Sequence, residues 1–141
     1  MLVKEILAES SIFGKNKNKV YTLLLSTIDA GPFDGGCVVV AQALQMAYGG
    51  EIVVLVGSPR KELANRNEAQ HAAVFLNGML IDGDGPLPPK QFVERFARNE
   101  MEYAGGFITG VRPIRPRDLT EAPRNEVLAK KIAALLRPVK Y

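Results

Sequence analysis

The segment HAAVFLNGMLIDGDG, residues 71–85, decides how the rest of the chain is read. Asn77-Gly78 supplies the two positive-φ positions of a type I′ turn, so the apolar runs on either side fold back as a tight antiparallel hairpin. With those two residues as the loop, Leu76 pairs with Met79. Counting outward, His71 faces Asp84, and Asp82 lies on the diagonal of the same face. The period-2 pleat puts His71, Ala73 and Phe75 on one side together with Asp82 and Asp84. A carboxylate therefore falls within reach of the chain's single imidazole.

Upstream, EIVVLVG (51–57) is a short apolar run rich in β-branched residues and reads as a buried strand. Before it stands FDGGCVVVAQALQMAYGG (33–50). Val38-Val39-Val40 would suit a strand. The length of the segment, Asp34 as N-cap and Gly49-Gly50 as a stop decide for a helix. Only Gln42 and Gln45 are clearly polar within it, which predicts a central helix buried nearly all round. Earlier still, Val20, Leu23, Leu24 and Ile28 recur at helical spacing between Lys19 and Ala30, ahead of Gly31-Pro32.

Polar residues 58–70 read as a loop joining the strand to the hairpin, and GDGPLPP (83–89) as a Gly- and Pro-rich loop after it. Residues 90–99 place Phe92, Val93 and Phe96 on one helical face, and 106–114 suggest another strand. PRNEVLAKKIAALL (123–136) predicts a last amphipathic helix with Val127, Leu128, Ile132, Leu135 and Leu136 inward. The expected fold is α+β: a single domain over residues 1–141, with an antiparallel sheet packed against a central buried helix that carries Cys37 at its N-terminus.

Composition narrows the chemistry. The 141 residues include one Cys, one His and no Trp, with 47% hydrophobic and 23% charged residues, which is ordinary for a globular domain and excludes disorder. One Cys excludes an internal disulfide, and two soft ligands in all make a protein-only zinc site hard to assemble. No cofactor or metal is expected. The first residues, MLVKEILAESSIFGK, have neither the n-region nor the uninterrupted h-region of a signal peptide. No apolar run is long enough to span a membrane, so a cytoplasmic protein with a free thiol is expected. A net charge of +3 does not identify a nucleic-acid binder. The clusters Lys15, Lys17, Lys19 and Arg112, Arg115, Arg117 lack interleaved aromatic residues and read as solvated surface.

Cys37 falls in the first turn of the predicted helix. The unpaired amides and the helix dipole there favour an anion, which raises the thiolate fraction, and the same amides can serve as oxyanion donors. Gly35 and Gly36 would let a substrate backbone come close. Taken alone, Cys37 reads as a small buried hydrophobe and the Asp82–Gly85 run as turn chemistry. Taken together, a helix-start thiol, an imidazole and a carboxylate form the Cys-His-Asp arrangement of thiol hydrolases. The Asp82-x-Asp84-Gly85 run lacks the later ligands of a calcium loop, and GSPR (57–60) lacks the Lys of a phosphate loop. Tyr48, Phe92 and Phe96 read as core.

A Gly-Gly-Cys helix start, a strand beginning with His and an Asp ending the next strand together resemble the papain-like and transglutaminase-like cysteine hydrolases. FDGGCVVVAQAL followed by HAAVFLNGMLIDGDG is similar to small uncharacterised bacterial and phage proteins of that type, as is APRNEVL near the C-terminus. The likeness spans residues 33–136. It implies Cys37 as nucleophile, His71 as general base and Asp82 as the orienting carboxylate. Strand pairing favours Asp84 for the third role, but sheet twist readily brings a diagonal residue into reach. The chain departs from the pattern in having no Gln before Cys37 to complete an oxyanion hole. The implied activity is hydrolysis of an amide in a protein or peptide substrate, by a peptidase, amidase or deamidase. The other expectation is a non-catalytic binding or inhibitory module on the same scaffold, directed at a host protein target, as in a phage or mobile-element protein.

Overall fold

The Asn77-Gly78 turn forms as its residue types dictate, with φ of 51° and 77°, and the hairpin it closes lies inside a five-stranded antiparallel sheet. The computed structural model describes residues 12–33, 35–58, 68–100 and 107–136. In chain order the elements are a 3-10 turn (Gly14–Asn16), α1 (Lys17–Ile28), α2 (Cys37–Tyr48), β1 (Glu51–Ser58), β2 (Glu68–Leu76), β3 (Met79–Asp82), β4 (Gly85–Leu87), α3 (Pro89–Glu100), β5 (Phe107–Pro113) and α4 (Glu126–Ala133). The sheet order is β4-β3-β2-β1-β5. The α+β class and the antiparallel sheet follow the sequence reading. Among the described residues no helix is long and apolar enough to cross a membrane.

The sheet is covered on both faces, because its strands alternate between two apolar clusters. Val54, Val56, Ala72, Val74 and Ile81 pack with Val20 and Leu24 of α1, the first half of α2, and Leu128 and Ile132 of α4. Val53, Leu55, Ala73 and Leu80 face the other way, onto Phe92 and Phe96 of α3. Each Val, Leu, Ile or Phe side chain among these contributes about 1.5–3 kcal/mol by leaving water. The α3 face matters most for the site, since His71 and Asp82 belong to it by the period of two.

Several boundaries differ from expectation. Helix α1 stops at Ile28 rather than Ala30, since Asp29 takes the left-handed conformation and returns its N–H to the Leu25 carbonyl. Helix α2 begins at Cys37 with Gly36 as N-cap and no side-chain cap; Asp34, expected in that role, lies outside the described residues. Its last turn is also more exposed than predicted, with Met46 in solvent. The GDGPLPP segment is not simply a loop. Gly85–Leu87 pair with Leu80–Asp82 as β4, because Gly83-Asp84 turns the chain back on itself. Helix α4 is shorter than residues 123–136, starting after Asn125, whose side chain accepts the Leu128 N–H. Val127 is 67% exposed rather than inward, one position off the Leu128–Ile132 stripe. Strand β2 starts at Glu68, inside the stretch read as a loop; residues 59–67 of that stretch lie outside the described residues.

Candidate active site

The N-terminus of α2 is delivered by a tight glycine loop. The Gly36 N–H bonds to the Gly31 carbonyl at 2.9 Å, and a Cβ on Gly36 would sit 2.5 Å from that same oxygen. Gly35 adopts φ +112°, a region that L side chains rarely enter. The two glycines are thus required by the chain's own packing. Cys37 follows at once as the first helical residue, so the N–H groups of Cys37, Val38 and Val39 have no acceptor within the helix. Its side chain is buried, with the residue 6% exposed.

His71 comes from β2, where a register shift re-aims the chain. Leu55 pairs with His71, but Val56 pairs with Ala69, so Gln70 is an extra residue. Bulges of this kind commonly turn a neighbouring side chain. The hairpin register matches the sequence count at Val74–Ile81, Phe75–Leu80 and Leu76–Met79. Continued outward it would set His71 against Asp84. Instead the third strand ends at Asp82 and turns, leaving Asp84 exposed. The diagonal residue takes its place: His71 Nε2 and Asp82 Oδ2 are 2.9 Å apart. Both residues are buried, His71 at 2% exposure.

The Cys37 thiol acts on the same ring. Burial by itself lowers the His71 pKa, but the Asp82 hydrogen bond, the Cys37 hydrogen bond and the charges of both partners outweigh it, and the pKa is pushed up from 6.5 to about 9. With Nε2 committed to Asp82, Nδ1 is the nitrogen left for the thiol. The ring is also clasped by aromatic residues. Phe96 stacks on it at 4.7 Å between centroids and Phe33 at 5.2 Å, each 15° from parallel, and Phe92 follows at 6.5 Å. Aromatic faces attract a cation, so this packing suits the imidazolium as well as fixing the ring plane.

The structure therefore brings together Cys37, His71 and Asp82, and leaves Asp84 to contribute its backbone N–H, which donates to Asp82 Oδ1 at 2.9 Å. Three neighbours were not singled out from sequence: Phe33, Arg95 and, as a site residue, Phe96. Arg95 donates to Asp82 Oδ1 at 3.3 Å and to the Gly85 carbonyl at 2.6 Å. The available signal was an arginine three residues after Phe92 and one before Phe96, on the apolar side of α3. Among the described residues no cluster of three or more His, Cys, Asp or Glu could hold a metal ion. The basic cluster near the C-terminus is partly tied down, as Arg112 makes a bidentate pair with Asp118 at 2.6 and 2.8 Å. Searches of protein-family models, curated proteins and solved structures give no match to this chain.

Proposed function

We propose that the protein is a thiol hydrolase of the papain-like or transglutaminase-like kind, cleaving an amide bond in a protein or peptide substrate. The observation that carries this reading is the placement of His71 between a helix-start thiol and a buried carboxylate. A thiol-bearing helix packed on an antiparallel sheet that carries the imidazole and the carboxylate also supports the papain-like architecture. His71 is an imidazolium at neutral pH, and in this reading it partners the Cys37 sulfur, which attacks as the nucleophile. Sγ forms a bond to the substrate carbonyl carbon, and the first-turn amide of Cys37 donates to the oxyanion. The amine leaves with the proton from His71, giving a thioester. Neutral His71 then takes a proton from water, hydroxide displaces sulfur, and the carboxylic acid departs, leaving the imidazolium and the free Cys37 sulfur that began the cycle. Asp82 holds the ring throughout.

A second reading, a binding or inhibitory module directed at another protein, is favoured by how little of Cys37 and His71 reaches solvent. Alkylation separates the two. Iodoacetamide is applied across pH 5–9 to the native protein, to the urea-unfolded protein and to His71→Ala. The hydrolase reading expects labelling of native Cys37 to stay fast below the ordinary thiol pKa of about 8.5 and to slow in His71→Ala. Native labelling no faster than that of the unfolded chain at every pH would refute it and favour the binding module.

A further inference from the structure

A buried carboxylate can orient an imidazole only if it is itself held, since rotation about its Cβ–Cγ bond would exchange the two oxygens at little cost. On its Oδ2 side Asp82 meets His71. Its other oxygen, Oδ1, accepts the Asp84 N–H and Arg95 Nη2. The same guanidinium donates from Nη1 to the Asp84 carbonyl at 3.2 Å and from Nη2 to the Gly85 carbonyl at 2.6 Å. It also lies over the Phe92 ring, 5.2 Å from the centroid. One planar fork thus joins α3 to the carboxylate and to the backbone of the turn leading into β4.

We propose that Arg95 is the positioning residue of this site, pinning Asp82 Oδ1 and the Asp82–Gly85 turn so that Oδ2 stays directed at His71 Nε2. The proposal rests on the Cys37-His71-Asp82 reading for its catalytic meaning, but the geometry it concerns stands independently of any reaction. Lysine cannot replace this arrangement in full, because an ammonium is a point charge on a flexible stem and lacks the rigid fork that reaches three oxygens at once. An exposed ion pair would carry little weight. Here the carboxylate side chain is only 5% exposed and the Arg95 side chain 18%, so few waters compete for Oδ1.

The consequence is read at His71, the only histidine in the chain. Among the described residues, the ionisable groups that face its ring are Cys37 from α2 and Asp82 from β3, with Asp84 and Arg95 behind Asp82. Phe33, Phe92 and Phe96 bring no charge. If Arg95 acted only through its charge, removing it would favour the imidazolium and raise the His71 pKa. If Arg95 positions Asp82, removing it lets the carboxylate turn away, and burial lowers the His71 pKa.

The test titrates the His71 ring by NMR in wild type, Arg95→Met and Arg95→Lys, and measures iodoacetamide labelling of Cys37 in each. The expected result for Arg95→Met is a His71 midpoint lowered by about one unit or more, the usual effect of separating a carboxylate from an imidazolium. Labelling should slow about tenfold or more, as misplaced groups commonly do. Arg95→Lys should fall between the two. A midpoint unchanged or raised in folded Arg95→Met overturns the proposal. Should that variant fail to fold, Arg95→Lys decides, and behaviour identical to wild type overturns it. An unreactive wild-type thiol would instead count against the hydrolase reading, with the His71 midpoints still reporting on Arg95.

Discussion

Titration of the single imidazole offers the sharpest check on the site, because one histidine gives one set of ring signals. Folded His71 should titrate near pH 9 rather than 6.5, so at neutral pH its ring nitrogens should both carry protons. A raised pKa means that folding favours the protonated form. The stabilisation is fully present below pH 6.5 and is lost as pH rises through about 9. A shift of that size corresponds to roughly 3 kcal/mol at about 1.4 kcal/mol per unit, a large share of the 5–15 kcal/mol typical of a domain. Urea unfolding at pH 6, 7.5 and 9.5 should therefore show the midpoint falling across this window, with the slope of the transition unchanged. Asp82→Asn removes the strongest of the influences that raise the pKa, so its His71 should titrate below the wild-type midpoint. Its stability should then vary less between pH 7.5 and 9.5 than that of wild type. A wild-type midpoint at or below 6.5, or an Asp82→Asn midpoint equal to that of wild type, would refute the placement of an ion-paired imidazolium in this site.

Other consequences can be measured without knowledge of a substrate. Gly36→Ala sets a methyl group 2.5 Å from the Gly31 carbonyl oxygen, and the forced shift should cost about 1–3 kcal/mol in urea unfolding while slowing Cys37 alkylation. Phe96→Ala removes a buried ring that packs on His71; calorimetry should show a loss of about 3–5 kcal/mol. Asn125→Ala removes the cap on α4, costing about 1 kcal/mol, whereas Val127→Lys on the exposed side of the same helix should stay within about 0.5 kcal/mol of wild type.

The parts of the fold legible in sequence are those set by local chemistry. Asn77-Gly78 demanded its turn, and the register followed. Helix α2 was recognisable because Gly49-Gly50 stops a long apolar run, even though its start was placed too early. What local pattern cannot supply is the point where a strand leaves its ladder. The count from Asn77-Gly78 led to Asp84 as the partner of His71, and the count was sound as far as Val74–Ile81. The Gly83-Asp84 turn then ended the strand to form β4, and a three-residue strand containing a proline gives no periodic signal. The misplacement of Val127 has the same character. Eight residues of helix leave the apolar stripe poorly defined, and a one-position rotation moves a valine from core to solvent.

Arg95 shows a different limit. Its role depends on the short fourth strand, since two of its three acceptors, the Asp84 and Gly85 carbonyls, exist in the right place only because the chain turns there. The element missed in sequence and the residue missed in sequence are thus one omission. The same turn sends the Asp84 side chain to solvent and brings its N–H to Asp82 Oδ1. Asp82 is thereby set apart from Asp84, although the two belong to the same Asp-Gly repeat. Of two carboxylates with nearly equal claims on His71, the one chosen is the one whose second oxygen has partners. That selection is a property of the Asp82–Gly85 turn and α3 together, and no spacing rule within the hairpin could have contained it.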